Sequence, residues 1–307
     1  MKKLIICLFA CVALIGGSDS HEDDTALRIQ MEVLYGENNE LQAVPEGQPV
    51  AIVENGVFVG QRNDGVISFK GIPYAKPPVG ELRWHAPQRA DSSNIIREAY
   101  YFGKSGIQTL STSVRASYYK QGEDCLTLNV WTASDTTRHR PVMVWIHGGS
   151  YGWGGTSDPL FEGHNFVKAH PEVILVTINY RLGLLGFLDL TQMEGGEDYV
   201  ESGNLGLLDQ VAALEWIQRN IAAFGGDASQ VTIFGESAGG GSVSLLTVMP
   251  KAHGLFQRAI VESGSVALSS TREEHKLLID RVQKATGAQC VDDLMKLSES
   301  ELMTINE

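Results

Sequence analysis

Two kinds of hydrophobic pattern follow one another along the chain. Over residues 50–75, β-branched and aromatic residues alternate with polar ones around an Asn-Asp-Gly turn at residues 63–65, which predicts a β-hairpin. Residues 126–131 predict another strand. Residues 142–146 and 173–180 are instead continuously apolar, as strands buried on both faces of a parallel sheet are. The pattern therefore changes from hairpins to buried strands.

Helical and strand patterns then alternate. Residues 204–224 predict a helix, because their apolar positions recur at steps of three and four and form one face. Strands are predicted at residues 231–234 and 258–262, with a helix from residue 237 to about residue 246 between them. Strands that alternate with helices indicate a parallel sheet covered on both faces. We therefore expect an α/β fold with a doubly wound, mostly parallel sheet.

Two segments are expected to lie outside the sheet. Residues 76–87 are rich in proline and lack periodicity, which predicts an extended surface segment. After residue 263 polar helical patterns predominate: one helix is bounded by a Ser/Thr start and by Gly287, and residues 291–307 predict a second. Because no later strand is predicted, residues 258–262 are expected to form an unpaired edge, which favours aggregation or pairing with another chain.

The N-terminus has two lysines, then an apolar run over residues 4–15, then small residues. This layout is typical of a secretory signal, and the run is too short to span a bilayer, for which roughly 20 residues are needed. We interpret residues 1–20 as a signal peptide cleaved near residues 17–20, so that residues 21–307 are exported, either to the periplasm or as a secreted protein. The alternative is a lipoprotein signal with Cys11 as the lipidated residue.

The net charge bears on the expected partners, and the cysteine content bears on the expected disulfides. The 307 residues include 24 basic and 37 acidic ones, a formal net charge of −13, and the basic residues are not clustered in the body of the chain. Such a charge repels phosphate backbones, so nucleic acid is not expected as a partner. Removal of the signal would leave Cys125 and Cys290, and two cysteines so far apart in sequence do not make a disulfide framework.

Two glycine-rich turns carry the candidate chemistry. A Gly-Glu-Ser-Ala-Gly motif at residues 235–239 ends a predicted strand and opens a predicted helix, which is the context of a nucleophile elbow with Ser237 as the nucleophile. The helix N-terminus offers N–H groups to a developing oxyanion. A second glycine-rich turn, residues 147–150, directly follows a buried strand, where its backbone N–H groups can point at a substrate oxygen.

Seven ordered motifs give the chain a family resemblance, from about residue 53 to residue 302. They are FKGIPYAKPPVGELRW, EDCLTLNVW, WIHGGSYGWGG, NYRLGLLGFL, GNLGLLDQVAALEWIQRNIAAFGGD, VTIFGESAGGGSV and AIVESGS. In these motifs the chain resembles the type-B carboxylesterases, which include cholinesterases and bacterial para-nitrobenzyl-type esterases. The resemblance implies an α/β-hydrolase fold that hydrolyses a small-molecule carboxylic ester through an acyl-enzyme, with neither a metal nor an organic cofactor.

Residue roles also follow from the resemblance. The oxyanion donors of the family correspond to the backbone N–H groups of Gly149, Ser150 and Ala238, and Ser150 stands where the family usually has Gly or Ala. Glu236 and Ser263 would be buried groups that support the site. The simpler interpretations, that Glu236 only caps its helix and Ser263 only ends a strand, stay open.

Two departures from the family bear on disulfides and substrate. Cys125 corresponds to a cysteine that the family pairs with an upstream one, but residues 18–124 contain no cysteine. The loop before Cys125 also lacks the tryptophan with which cholinesterases bind choline, and Arg115 lies near that place. A quaternary-ammonium ester is therefore not an expected substrate.

The largest departure concerns the catalytic acid and histidine, which in the family follow the serine on loops after later strands. His147 precedes the serine, and His253 is expected on a surface turn. The order Ser237, Glu262, His275 is available, but Glu262 ends a strand and His275 lies on a charged helix.

We therefore expect residues 21–307 to be the N-terminal part of an α/β-hydrolase domain that is truncated after the strand following the elbow. Full activity would then require a C-terminal complementing segment that supplies the acid and the histidine. The alternatives are a catalytically inactive fragment and a non-enzymatic binding or adhesion module.

Overall fold

The computed structural model describes residues 36–108, 118–135 and 138–305. The signal peptide predicted at residues 1–20, with Cys11, and the position of Arg115 lie outside the described residues. The strands are β1 (Glu40–Leu41), β2 (Val50–Val53), β3 (Gly56–Val59), β4 (Gln61–Asn63), β5 (Val66–Pro73), β6 (Ile96–Glu98), β7 (Thr127–Ala133), β8 (Arg140–Ile146), β9 (Ile174–Ile178), β10 (Gly226–Glu236) and β11 (Arg258–Glu262). The α-helices are α1 (His164–Ala169), α2 (Gly183–Phe187), α3 (Leu205–Asn220), α4 (Ala238–Leu246), α5 (Arg272–Thr286), α6 (Val291–Met295) and α7 (Glu299–Ile305).

The strands form a small sheet and a large mixed sheet. The small sheet has the order β1-β6-β3-β2, and the large one has the order β11-β10-β8-β9-β7-β5-β4. Strands β11, β10, β8 and β9 are parallel, and the pairs from β9 to β4 are antiparallel. The difference follows from the connections, because crossovers containing helices join the parallel strands, whereas a tight turn joins β4 to β5.

The predicted hairpin turn has the conformation that its residues favour. Asn63 pairs with Val66, and the two residues between them, Asp64 and Gly65, have positive φ values of 43° and 80°. Positive φ at both central residues is typical of the type I′ turns that match strand twist. Local sequence thus fixes the pairing of β4 with β5.

The apolar face predicted for α3 lies in the main core. Val211, Leu214 and Ile217 are buried in one cluster with residues of β8, β9 and β10. The α-helix ends at Asn220 and continues as a 3₁₀ turn, which Gly225 terminates with a left-handed φ of 87°. The predicted helix is therefore confirmed, with a change of helix type in its last turn.

Two predictions about segments outside the sheet are wrong in part. Trp84 lies in the proline-rich segment expected at the surface, but it is buried and its indole N–H donates to the carbonyl of Leu184 at 2.9 Å. The single helix expected over residues 291–307 is broken between α6 and α7. At this break the Arg83 guanidinium donates to the carbonyls of Met295 (3.1 Å) and Leu297 (2.8 Å). In a continuous helix these two carbonyls would instead accept from backbone N–H groups of the helix itself.

A buried ion pair joins the segment after β9 to α3. The Arg181 guanidinium donates to both carboxylate oxygens of Asp209, at 2.8 and 2.7 Å, and the Arg181 backbone N–H donates to the same carboxylate at 3.0 Å. The side chains are only 3% and 0% exposed. Because each charge depends on the other for compensation, the pair fixes where α3 begins relative to the sheet.

In the described part of the chain, no helix has both the length and the apolar character needed to cross a membrane.

We predict that Arg181→Met lowers the free energy of unfolding by about 3–5 kcal/mol, because it leaves the Asp209 carboxylate buried without its partner. The matched control is Arg219→Met, which breaks a half-exposed pair with Glu54 and is expected to cost less than about 1 kcal/mol. Urea denaturation of both variants measures the difference. Equal losses would contradict the importance assigned to the buried pair.

Candidate active site

The candidate nucleophile lies in a strained turn. Strand β10 ends at Glu236 and α4 begins at Ala238, so Ser237 alone forms the turn between them. Ser237 has φ 55° and ψ −120°, which is unusual for a residue with a side chain. Two backbone bonds hold it there, from its N–H to the carbonyl of Glu262 (2.9 Å) and from the N–H of Gly241 to its carbonyl (2.8 Å). Its side chain is half-buried at the carboxyl end of the parallel strands.

Glycine is required on both sides of the serine. A Cβ atom on Gly235 would lie 2.6 Å from the carbonyl oxygen of Ile146, and one on Gly239 would lie 2.0 Å from the same oxygen. Both distances are shorter than any real contact of a side chain with backbone. The turn can therefore pack against β8 only as bare backbone, and this contact sets the position of Ser237.

The second glycine-rich turn passes beside the serine. A Cβ atom on Gly148 would lie 3.2 Å from the Cβ of Ser237. The next three residues, Gly149, Ser150 and Tyr151, all have positive φ values, of 110°, 53° and 58°. The Gly149 carbonyl accepts from two later N–H groups of the loop, at 2.9 and 3.0 Å, so the loop folds back on itself.

Three backbone N–H groups next to the serine have no acceptor in the described chain. They belong to Gly149, Ser150 and Ala238, and none donates a hydrogen bond within the described chain. For Ala238 the reason is its place as the first residue of α4, where no preceding helical carbonyl exists. Donors left unpaired in this way can bind a negatively charged oxygen.

His147 is a buried neutral group at the base of this loop. Its ring is stacked on that of Tyr180, with centroids 4.5 Å apart, and its Nδ1 atom lies 2.8 Å from the Gly148 carbonyl oxygen. Burial lowers the pKa of His147 to about 4, against a smaller opposing effect of the Gly148 carbonyl. The Tyr180 hydroxyl donates to the His147 carbonyl at 2.7 Å, so the loop is supported from below.

The described residues do not assemble a triad around Ser237. Nδ1 of His275 accepts from the backbone N–H of Asp189 at 3.4 Å, and His253 is exposed after a 3₁₀ turn. Glu262 pairs with Glu236 in the register of β11 and β10, and its backbone carbonyl contacts the serine N–H. In the described chain, none of these histidines is hydrogen-bonded to Ser237.

The burial implied for Glu236 and Ser263 is not observed, because both residues are exposed. They lie at the carboxyl ends of β10 and β11, and β11 is the edge strand of the large sheet. Ser263 follows this edge strand, beyond which the described chain has no further strand, whereas Glu236 is exposed although β10 pairs with both β8 and β11. Ser263 has a left-handed φ of 51°, a strained conformation for a residue with a side chain.

Two cavities were not predicted from the sequence. Both are lined by Ser150, which lies in the glycine-rich loop after β8 (residues 147–153), called the oxyanion loop after its proposed role. The smaller, of about 140 Å³, has aromatic walls from Tyr119, Trp153 and Phe161 and borders Ser237. The carboxylates of Asp158 and Glu236 also lie in its wall. The larger cavity, of about 1070 Å³, extends from Ser150 to α5.

A strand-turn-helix serine and a glycine loop at the carboxyl edge of parallel strands define an α/β-hydrolase fold with a serine-hydrolase type of site. The chain belongs to the carboxylesterase family, whose sequence profile matches residues 47–306.

The relatives agree with this assignment. The chain is 46% identical over 228 residues to the para-nitrobenzyl esterase of Bacillus subtilis (strain 168), covering 73% of this chain and 45% of that protein. It is 42% identical over 259 residues to liver carboxylesterase 1 of Oryctolagus cuniculus, covering 78% and 44%. Among solved structures it is similar to the Geobacillus stearothermophilus carboxylesterase EST55, with a TM-score of 0.77, 42% identity and coverage of 84% and 53%. The chain spans about half the length of the curated relatives it matches.

We predict that Gly239→Ala lowers the free energy of unfolding by about 3 kcal/mol, because its Cβ cannot fit beside the Ile146 carbonyl without moving the turn. Gly152→Ala is the matched control in the oxyanion loop, where the nearest atom would be 3.9 Å away, and its expected effect is below about 1 kcal/mol. Chemical denaturation measures both. Tolerance of alanine at residue 239 would show that the close contact is not needed.

We also predict a pH dependence from His147. Its pKa is about 4 in the folded chain and 6.5 as the ordinary value, so the unfolded chain binds more protons between these pH values. The stabilising contribution of neutral His147 is therefore complete above about pH 6.5 and is lost as the pH falls to about 4, a change on the order of 3 kcal/mol.

The measurement compares His147→Phe, which keeps a ring against Tyr180, with the unchanged protein. The difference between their free energies of unfolding at pH 7, where His147 is neutral, measures the effect of the substitution on packing alone. Between pH 7 and pH 4 the variant should lose about 3 kcal/mol less than the unchanged protein. Identical losses would mean that His147 does not titrate in this way.

Proposed function

We propose that this chain supplies the nucleophile and the oxyanion hole of a carboxylesterase, which hydrolyses carboxylic esters through an acyl-enzyme on Ser237. The observation that carries the proposal is the set of three unpaired N–H groups, from Gly149, Ser150 and Ala238, on the two segments that flank the strained serine. Gly149 and Ala238 are buried residues, where an unpaired N–H group is costly, and a tetrahedral oxyanion could accept from all three groups.

In the proposed reaction Ser237 Oγ attacks the ester carbonyl carbon while a histidine takes its proton. The carbonyl oxygen becomes an oxyanion that accepts from the three N–H groups, and its collapse expels the alcohol, which takes the proton from the histidine. Water then attacks the acyl-enzyme by the same route and releases the acid. Removal of one triad member typically lowers the rate by several orders of magnitude, so turnover depends on this histidine.

We propose that a C-terminal complementing segment supplies the histidine and the acid by extending the sheet at β11. Two features support this. Strand β11 lies at the edge of the large sheet, as predicted, and Ile260 and Val261 on it are each 44% exposed. Exposed apolar residues on an edge strand favour a further strand, which would also cover Glu236 and Ser263.

The substrate proposed is a small-molecule ester with one compact group. The smaller cavity beside Ser237 has aromatic walls and about 140 Å³, a volume close to that of a protein cavity that binds benzene. A benzyl-sized group fits it. We further propose that the protein acts after export, which the lysines and apolar run of residues 1–20 support.

We predict that a fluorophosphonate probe labels Ser237 in the native protein isolated in its longest form, because the phosphonyl oxygen can occupy the oxyanion hole. Ser237→Ala should abolish labelling. Ser244→Ala is the control on the same helix, since the Ser244 hydroxyl is engaged with the Gly240 carbonyl at 3.0 Å. Intact-mass and peptide analysis locate the label. A native form that stays unlabelled would contradict the esterase proposal and favour a non-enzymatic binding module.

A further inference from the structure

The larger of the two cavities begins at the oxyanion loop and has walls of different character. Ser150 and Tyr151 line the end near the nucleophile, and Leu184, Phe187 and Leu207 form an apolar wall. Residues of α5 belong to the lining as well.

Two cations of α5 line the cavity. Arg272 and Arg281 both belong to its lining, together with His275 and Leu278 from the turns between them. The two arginines are nine positions apart, which corresponds to roughly 13 Å along the axis. Within the described ranges, no carboxylate oxygen lies close enough to either guanidinium, that is within 4.0 Å, to form an ion pair.

One carboxylate also lines the cavity, but it is already hydrogen-bonded. Asp189 accepts from the Thr191 hydroxyl at 2.6 Å and from the Gln192 amide at 3.0 Å, and it caps a 3₁₀ turn. The charged side chains that line the cavity are Arg272, Arg281 and Asp189, and their net charge is +1. In a chain of net charge −13, this cavity is thus a local exception. Unpaired cations beside an apolar wall attract an anionic group that carries an aliphatic chain.

The smaller cavity is less favourable for the same group. Asp158 and Glu236 line it, and no Lys or Arg is among its lining residues. Asp158, like Asp189, is already hydrogen-bonded, here to the Tyr119 hydroxyl (2.9 Å) and the Leu160 N–H (3.0 Å), but an anion placed there would still meet a net negative charge. The two cavities therefore differ in charge as well as in size, and the charge difference orients an ester that has one anionic end.

We propose, on the basis of the esterase function proposed above, that the larger cavity binds a carboxylate at the far end of the bulkier half of the ester. The preferred substrates are then monoesters of aliphatic dicarboxylic acids or esters with an equivalent acidic chain. Arg272 and Arg281 are the specificity-determining residues, and the apolar wall holds the chain between them and Ser237.

The test compares two alkyl fluorophosphonates of equal chain length on the native protein, one ending in a carboxylate and one in its methyl ester. The acidic probe should label Ser237 about 3- to 10-fold faster at low salt, and the ratio should fall towards 1 in the Arg272→Gln/Arg281→Gln variant. Arg62→Gln, at an exposed position of β4, is the control and should keep the unchanged ratio. Equal rates in the unchanged protein overturn the proposal.

A binding measurement separates this proposal from the esterase function. Monomethyl suberate and dimethyl suberate are titrated into the same proteins carrying Ser237→Ala and followed by NMR, because the proposed esterase would otherwise hydrolyse both esters during the titration. Tighter binding of the monoester, lost in the double arginine variant, supports the anion site even if neither probe labels the serine, in which case only the esterase function fails. Equal binding of the two esters overturns the anion site whatever the labelling shows.

Discussion

The candidate site depends on one contact of backbone with backbone. The carbonyl of Ile146, at the end of β8, lies against Gly235 and Gly239, where a Cβ atom would come within 2.6 and 2.0 Å. This contact brings the β10–α4 turn and the oxyanion loop to the same edge of the sheet, because the loop is the direct continuation of β8. The separation of Ser237 from the unpaired N–H groups proposed as oxyanion donors is thus set by rigid main chain rather than by adjustable side chains.

Buried hydrogen bonds beneath this edge of the sheet stabilise its strained backbone. Ser150, Tyr151 and Ser237 all adopt positive φ, which costs energy for residues with side chains. Tyr180 supports the oxyanion loop through the His147 carbonyl, and the following residue, Arg181, is fixed by the buried Asp209 carboxylate. The motif after β9 therefore stabilises a loop more than thirty positions away in sequence.

In the proposed function, the described chain supplies the electrostatic part of an acyl-transfer site, and the described residues do not supply the proton-transfer part. Unpaired N–H groups can stabilise an oxyanion without any titrating residue, whereas a serine hydroxyl needs a base to become a nucleophile. The buried His147, stacked and neutral, is placed to support the loop rather than to accept that proton. The exposed edge at β11 is where we propose that a complementing segment binds.

Local patterns were enough to predict the strands of the large sheet, the α3 face, the position of the hairpin turn and the elbow at Ser237, because each depends on periodicity or on a few adjacent residues. The short strands β1 and β6 of the small sheet were not predicted. The burial of Trp84 and the break between α6 and α7 were not predictable, since distant backbone groups decide both. The charge of the two cavities was not predictable either, because the residues that line each cavity come from separate helices and loops. Local sequence thus specifies most of the elements and the chemistry of the serine. Which polar groups stay unpaired beside the serine is a property of the folded chain, because it depends on every neighbour that could have paired with them.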